Sequence, residues 1–338
     1  MHGMTFFTKY RRLIVSVLFV SVLILVGRFV SNIDFRMLSR YLDEMPGMFA
    51  LVIGSSFFAY LFSTVGWKLC MGTDGHKIRL AEAFRIRHVG EMLGTFNPTS
   101  VIAGDTLKIS LLSKSGLSTE NGVTSILLMR MINLFSSVLL MTVSIIYLTF
   151  GRFGNKDEFI LFVMIIVIGA LCFLLAKYFL NEKLYFGKTV EKIRDKTKWT
   201  FLTPKIVESC YETNAIAAHY FRTNKLKFSL AFVLIALHWM LGALEFFIVL
   251  KTLGIEVSFI DAVSVEMGVI LFKSMGMIVP GQLGVEEYGN KVLLDVIGIN
   301  SNEIWLIVSL VRRSRQLFWL AIAGVFLIII TKKSYKTA

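Results

Sequence analysis

Charged side chains lie inside long apolar runs of this 338-residue chain. Arg130 falls about seven residues into the run 123–150. In the last run only 317–330 is free of charge, which is too short to cross a bilayer, so the spanning helix must also include 304–316. That helix then carries four strongly polar residues: Arg312, Arg313, Arg315 and Gln316. An arginine at the centre of a membrane helix costs at least about 2.5 kcal/mol, so we expect these side chains to face the bundle interior.

Acidic residues offer partners for these arginines. The candidates are Asp105, Glu245, Glu286 and Glu287. A structural interpretation makes Arg130–Asp105 and Arg312–Glu287 ion pairs that fix each acidic segment to the next helix. A functional interpretation adds that such a pair can open to bind a phosphate, for which the planar donor fork of arginine is suited. The sequence leaves both interpretations open.

Three further basic residues could join a phosphate site. Lys108 lies one helical turn after Asp105, and Lys273 lies inside a later apolar segment. Arg315 shares a helix face with Arg312 because the two are three residues apart. The lysines would act as point charges, although Lys273 could equally extend toward a membrane interface.

The elements that carry these residues are predicted membrane spans. Hydrophobic residues make up 55% of the chain and charged residues 17%, against about a quarter in soluble domains. Runs long enough for a hydrocarbon core of about 30 Å lie at 13–30, 47–67, 123–150, 159–180 and 228–250, with a sixth, charge-interrupted run at 304–330. The first run follows a basic stretch and continues to Val30 without a cleavage site, which predicts an uncleaved signal-anchor helix.

Other classes of function lack support in the sequence. The three cysteines are far apart and the five histidines show no metal-ligand spacing, so we expect no disulfide, metal or cofactor. The net charge is +13, and the longest polar stretch, residues 181–227, holds ten Lys and Arg against five Asp and Glu and includes an amphipathic segment at 206–221. A basic amphipathic stretch beside membrane spans predicts a cytoplasmic connector near anionic lipid head groups, and not a nucleic-acid site. The sequence does not predict an oligomeric state.

The distribution of Lys and Arg orients the chain. If both termini are cytoplasmic, the inner segments hold 22 Lys and Arg and the outer segments hold 5, as expected for a multi-pass protein of the plasma or inner membrane. Residues 82–112 then start and end on the inner face, and residues 262–294 on the outer face. Proline and glycine break each segment, which predicts two re-entrant hairpins. The predicted tip residues are Pro98, Gly104, Pro280, Gly281 and Gly284.

The two hairpins match each other in sequence. A shift of 182 residues aligns Pro98 with Pro280, Asp105 with Glu287, Gly116 with Gly298, and Arg130 with Arg312. An odd number of spans separates the hairpins, so the copies are inverted. We therefore predict an all-α integral membrane protein with about six spanning helices and two re-entrant hairpins, arranged as an inverted repeat with halves 1–155 and 156–338. Each half has the order span, span, hairpin, span, and the second half also contains the connector. Broken segments at matching places in inverted halves indicate a transporter site near the midplane.

At the hairpins the sequence resembles a transmembrane flippase-like family that includes the membrane region of bacterial lysylphosphatidylglycerol synthases. The matching stretches run from Asn97 to Arg130, with Gly-Asp and a following lysine, and from Val279 to Arg312, with Pro-Gly-x-x-Gly-Val-x-Glu. The resemblance covers about residues 10–330 and implies a role in moving lipid across the bilayer. Glu286 departs from the family pattern, where a basic or neutral residue is expected. No segment resembles the soluble aminoacyl-transfer domain, so the resemblance does not imply lipid aminoacylation by this chain.

The preferred hypothesis is a lipid translocase and not an enzyme. The hairpin tips would meet between the halves, and Arg130 and Arg312 would bind an anionic or otherwise polar head group. Asp105, Glu286 and Glu287 would gate this site or couple it to protons. Rocking of one half against the other would expose the site to each side in turn.

Two alternatives stay open. The first is a membrane-embedded enzyme that acts on a lipid phosphate or a polyprenyl carrier, with Asp105 or Glu287 as the acid or base. The second is a non-transporting membrane scaffold, for which the connector 181–227 would be a docking site.

Overall fold

The computed structural model describes residues 46–96, 100–152, 174, 177–178, 180–197, 203–276 and 279–336. Within these residues every regular element is helical and no strand occurs, which confirms the predicted all-α class for this part of the chain. The helices are α1 (Pro46–Cys70), α2 (Leu80–Phe96), α3 (Ser100–Lys114), α4 (Thr119–Tyr147), α5 (Tyr185–Thr197), α6 (Pro204–Thr223), α7 (Lys225–Thr252), α8 (Phe259–Met275), α9 (Val285–Val296) and α10 (Asn302–Lys336). Short helical turns cover Gly72–Lys77, Leu148–Arg152 and Pro280–Gln282.

Several helices begin at residues that cap their free backbone N–H groups. Ser118 precedes α4, and its hydroxyl accepts a hydrogen bond from the backbone N–H of Asn121 at 3.2 Å. Ser258 precedes α8, and its hydroxyl accepts from the backbone N–H of Asp261 at 3.3 Å. The Asp261 carboxylate accepts in return from the backbone N–H of Ser258 at 2.9 Å. These reciprocal bonds fix the point at which the second hairpin begins.

Among the described residues, four helices are long and apolar enough to cross a membrane: Gly47–Cys70, Thr119–Gly151, Lys225–Thr252 and Asn302–Lys332. They coincide with the predicted spans 47–67, 123–150, 228–250 and 304–330. The predicted span 13–30 lies outside the described residues, and so does 159–180 except for positions 174, 177, 178 and 180. The last helix is continuous through the arginine segment, as the length argument requires. These four helices support a multi-pass membrane protein.

Each predicted hairpin corresponds to a pair of packed helices. Helices α2 and α3 cover the predicted segment 82–112, and α8 and α9 cover 262–294. Glycine permits the close helix contact, because a Cβ at Gly104 would lie 2.4 Å from the carbonyl oxygen of Gly90. A Cβ at Gly268 would likewise meet a leucine side chain of α9 at 2.4 Å. Glycine therefore permits close packing in both hairpins, against a backbone carbonyl in the first and against a leucine side chain in the second.

The helix contacts of the first half correspond to those of the second. Helix α2 packs on α10 as α8 packs on α4, and α3 packs on α4 as α9 packs on α10. Each hairpin thus lies between the span that follows it and the corresponding span of the other half. Helix α2 also contacts the Pro280–Gln282 turn, so the first hairpin reaches the tip of the second. An inverted repeat predicts this correspondence, while the division into halves and the re-entrant path stay predictions.

The connector forms two helices that pack on the bundle. Helix α5 lies on α6, and α6 lies on α4. The Tyr220 hydroxyl donates to the backbone carbonyl of Leu69 at 2.6 Å, which ties α6 to the end of α1. The Tyr211 hydroxyl donates to Glu191 at 2.6 Å and joins the two connector helices. This hydrogen bond to a carboxylate raises the pKa of Tyr211 above its ordinary value.

Candidate functional site

The first-half site consists of Glu91 on α2, Asp105 and Lys108 on α3, and Arg130 on α4. The Asp105 carboxylate accepts from Arg130 Nε at 2.9 Å and also from its Nη2. Lys108 Nζ lies 2.7 Å from Glu91 and 3.5 Å from Asp105. The Arg130 side chain is 49% exposed, although Asp105 beneath it is 18% exposed. The guanidinium is therefore held on one side by a carboxylate and accessible on the other.

Gly90 provides the space in which Lys108 crosses α2. A Cβ at Gly90 would lie 2.4 Å from Cε and 2.5 Å from Cγ of Lys108. Any larger residue would displace the lysine, because atoms in protein interiors do not approach that closely. The glycine thus fixes the ammonium group between Glu91 and Asp105.

The second-half cluster consists of four cationic and four acidic side chains: Lys273, Arg312, Arg313 and Arg315 with Glu245, Glu266, Glu286 and Glu287. Arg312 lies at its centre and is 2% exposed. Its Nη1 lies 2.9 Å from Glu266 and 3.3 Å from Glu245, and its Nη2 lies 3.1 Å from Glu286. The guanidinium also lies over the Phe246 ring, 4.3 Å from the ring centroid. Carboxylates on three different helices therefore surround this arginine.

Arg315 extends the cluster toward α1. Its Nε donates to Glu245 at 2.9 Å and its Nη1 donates to the Tyr60 hydroxyl at 2.7 Å. The Gln316 amide donates to Glu286 at 2.8 Å, and Lys273 Nζ lies 3.6 Å from the same carboxylate. Polar contacts therefore connect the second hairpin to α10 and, through Tyr60, to the first half.

Arg313 holds the tip of the second hairpin. Its Nε donates to Glu287 at 2.5 Å, while Nη1 and Nη2 donate to the carbonyl oxygens of Gly281 at 3.1 Å and Gln282 at 3.2 Å. Three residues of this turn have positive φ: Gly281 at 62°, Gln282 at 52° and Gly284 at 80°. Left-handed backbone is costly for a glutamine, so the turn needs external support. The guanidinium of Arg313 supplies it.

The charges of the second-half cluster balance, since four carboxylates face four cations. In a buried set of this kind the partners offset the cost of desolvation for one another. Removal of one partner leaves an uncompensated buried charge, which costs about 3–5 kcal/mol. The first-half site is smaller and more exposed, and there an ion pair contributes about 1 kcal/mol or less.

One predicted ion pair is wrong by one residue. The expected partner of Arg312 was Glu287, but the structure pairs Arg312 with Glu286 and pairs Glu287 with Arg313. The reason is local, because the Glu287 carboxylate also accepts from the backbone N–H of Gly284 at 2.8 Å. That bond turns Glu287 toward the hairpin tip, where Arg313 lies. Glu286, the departure from the family pattern, faces the interior and is 2% exposed.

The structure places most of the other predicted residues in one of the two sites or in the tip turn. The structure brings Arg130 and Lys108 to Asp105 in the first-half site, and it brings Lys273 and Arg315 to the second-half cluster. Gly281 and Gly284 lie in the tip turn, which begins at Pro280. Gly104 lies inside α3 and not in a turn, because the helix continues through it. Pro98 lies outside the described residues.

Sequence reasoning missed Glu91, Glu266, Arg313 and Tyr60 as members of the two sites. Glu266 could have been found, because it is a charged residue inside an apolar segment, and the same signal identified Arg312. Glu91 lies 182 residues before Lys273, the same shift that aligns the hairpins. The sequence carried no signal for Tyr60, because its role depends on how α1 packs against α10.

A profile of the family described as lysylphosphatidylglycerol synthase TM region matches residues 13–324. The chain belongs to this family. No curated protein and no solved structure matches the chain. Membership supports a lipid-related function in the membrane. Among the described residues, no group of three or more His, Cys, Asp or Glu side chains is placed to hold a metal ion.

Proposed function

We propose that this protein is a lipid translocase that moves a lipid with an anionic or otherwise polar head group between leaflets. Arg130 and Lys108 bind the head group first, because the half-exposed guanidinium of Arg130 presents donors that its single carboxylate partner does not use. A phosphate suits these donors, since an arginine fork can bind two of its oxygens. Lys273, Arg312 and Arg315 are the corresponding ligands of the second half.

The observation that carries the proposal is the difference between the two sites. The corresponding arginines, Arg130 and Arg312, are 49% and 2% exposed. In an inverted repeat, equivalent sites face opposite sides of the membrane. One accessible site and one closed site therefore describe one end state of an alternating transporter. With the predicted orientation, the accessible site belongs to the hairpin that enters from the cytoplasmic side.

The acids act as gates in this proposal. Asp105 holds Arg130 in the absence of lipid, and a phosphate that binds Arg130 competes with it. Glu286 and Glu287 hold Arg312 and Arg313 in the closed second half. Opening that half requires these pairs to separate, and a head group that replaces the carboxylates lowers the cost of separation. Rocking of the halves moves the lipid between the two arrangements.

The test uses purified protein in vesicles that contain a phospholipid labelled at its anionic head group. We expect wild-type protein to exchange the label between leaflets and Arg130→Ala to reduce the rate at least about tenfold, since hydrogen bonds to a charged group contribute about 1.5–3 kcal/mol. Arg130→Lys should give an intermediate rate, because it keeps the charge but not the fork.

The matched control is Arg222→Ala on α6, since Arg222 is also an exposed arginine in an ion pair, with Glu182. Its exchange rate should equal that of the wild type. Exchange at the wild-type rate by Arg130→Ala contradicts the head-group assignment, and failure of the wild type to exchange any polar-headed lipid contradicts translocation.

The same vesicles distinguish the translocase from the enzyme alternative. Asp105 and Glu287, the acid or base of that alternative, each accept a hydrogen bond from a guanidinium. We expect mass spectrometry to recover the lipid chemically unchanged after exchange. A lipid altered by the purified protein alone would favour the enzyme.

A further inference from the structure

His88 lies on α2, where the first hairpin meets α1 and α10. It is 4% exposed. Its ring lies 4.2 Å from Phe84 and 5.1 Å from Trp319, both at low interplanar angles of 37° and 35°. Tyr60 and Phe326 approach edge-on, with centroids at 5.1 Å and 6.0 Å. Rings on three helices that belong to both halves therefore enclose this imidazole.

The hydrogen bonds of His88 leave one ring nitrogen unused. Nδ1 lies 2.8 Å from the Phe84 carbonyl oxygen, and a carbonyl can only accept, so Nδ1 carries the hydrogen. Nε2 is buried and has no hydrogen-bond partner among the described residues. A buried polar atom without a partner is uncommon and calls for an explanation. The neutral imidazole has at Nε2 a lone pair that can accept a proton.

Three carboxylates of the two sites already have cationic partners, in contrast to Nε2 of His88. Asp105 accepts from Arg130, Glu286 from Arg312, and Glu287 from Arg313. In the proposed cycle these acids gate the sites through their ion pairs.

The charged and titratable neighbours of His88 come from four helices. Arg87 and Glu91 lie on its own helix, and Tyr60 faces it from α1. Arg315 of α10 donates to the Tyr60 hydroxyl, and His238 of α7 lies 6.2 Å from the Tyr60 ring centroid. The carboxylate of Glu91 is engaged by Lys108.

We propose that His88 is the proton-binding site of the transport cycle. In the state described here the aromatic enclosure excludes water and keeps the ring neutral, because an unhydrated charge is costly. Separation of α2 from α1 and α10 hydrates Nε2, and the ring then binds a proton. The proton opposes closure until it is released, so it biases the movement of one half against the other. The inference rests on the proposed translocase for its purpose, but proton binding at His88 does not depend on it.

The direction of the pH effect follows from this arrangement. The enclosed state binds the proton less readily than the separated state, so a fall in pH favours separation. A single proton can change the balance by at most about tenfold per pH unit. A rate limited by separation of the hairpin should therefore rise as the pH falls, within that limit.

The experiment records tryptophan emission of the purified full-length protein during acid titration. An imidazolium beside an indole quenches its emission, and separation of the helices also changes the surroundings of Trp319. We expect one titrating component that is absent from His88→Gln and from Trp319→Phe. His238→Gln is the matched control, because His238 also lies beside a tryptophan, Trp239, at 5.1 Å. It should keep the component.

Exchange in vesicles supplies the second measurement. We expect the wild-type rate and that of His238→Gln to rise on acidification, while the rate of His88→Gln stays constant with pH. If His88→Gln does not fold, His88→Phe preserves the ring stacking and takes its place. A His88 variant that keeps the titrating component overturns the inference, whatever its transport. If only the His88 variants lose the component while the wild type exchanges no lipid, the proton site is upheld and the translocase is contradicted instead.

Discussion

The first-half site and the second-half cluster each pair arginine with carboxylates, but they differ in how deeply the arginine is buried and in how many carboxylates contact it. Around Arg130 the structure places one carboxylate at hydrogen-bond distance, whereas Arg312 contacts three. The extra acids come from α7, α8 and α9 in positions where the first half has no carboxylate against its arginine. In this fold the buried arginine is the one with three carboxylates around it, and the half-exposed arginine has one.

The two hairpins also differ in which of their helices carries the lysine and which carries the acid. In the first hairpin the acid Glu91 lies on the leading helix and Lys108 on the following one. In the second hairpin Lys273 lies on the leading helix and Glu286 on the following one. Each hairpin is thus closed by an ion pair between its own two helices, but with the charges exchanged. An ion pair between the two helices is therefore common to both hairpins, whereas the helix that carries the positive charge differs.

The largest expected effect comes from Arg312→Ala. Three buried glutamates would lose their shared cation, and we expect the free energy of unfolding to fall by about 3–5 kcal/mol. Thermal unfolding of the detergent-solubilised protein measures this loss. The companion variant Arg312→Ala with Glu266→Gln should recover part of it, because it removes one of the orphaned charges. Equal stability of Arg312→Ala and the wild type would mean that the cluster is not closed as described.

Gly104→Ala should have the next largest effect. The new methyl group would lie 2.4 Å from the backbone carbonyl oxygen of Gly90, so α2 and α3 must move apart, at a cost of about 1–3 kcal/mol. Gly94→Ala is the matched control, because no heavy atom lies within 4 Å of the Cβ it would add. That variant should be neutral or slightly stabilised, since alanine favours helix over glycine. The opposite order of stability would reject the close contact in the first hairpin.

Arg313→Lys tests the tip of the second hairpin. Lysine keeps the charge beside Glu287 but cannot bind two carbonyl oxygens with a planar fork. We expect a loss of about 1–2 kcal/mol, concentrated in the turn with positive φ. Hydrogen exchange of residues 279–285 should become faster while exchange in α4 does not change. Uniformly faster exchange, or none, would show that Arg313 does not act on the turn specifically.

Arg130→Ala should have the smallest effect on stability. The pair with Asp105 is half-exposed on the arginine side, so its loss should cost less than about 1 kcal/mol. Thermal unfolding compared with Arg312→Ala gives the measurement. A loss as large as that of Arg312→Ala would erase the difference between the two sites.

The sequence predicted the helical class and the four spans within the described residues, because these depend on hydropathy. Proline and glycine indicated where the two packed helix pairs lie, while their re-entrant path stays a prediction. It also predicted that Arg130 contacts Asp105. It failed at Arg312, because two adjacent glutamates compete for two adjacent arginines, and only the cap at Gly284 decides between them. The roles of Tyr60 and His88 could not be predicted from the sequence, since their surroundings are assembled from helices distant in sequence.

The neutral total of the second-half cluster also constrains how this region can change over evolutionary time. Replacement of a single member by an uncharged residue leaves an unmatched charge inside the bundle, and selection for a folded protein will remove it. Replacements that delete an acid and a cation together avoid this barrier. We therefore expect substitutions in the cluster to arrive in compensating couples, whereas the half-exposed Arg130 can be replaced at a smaller cost in stability.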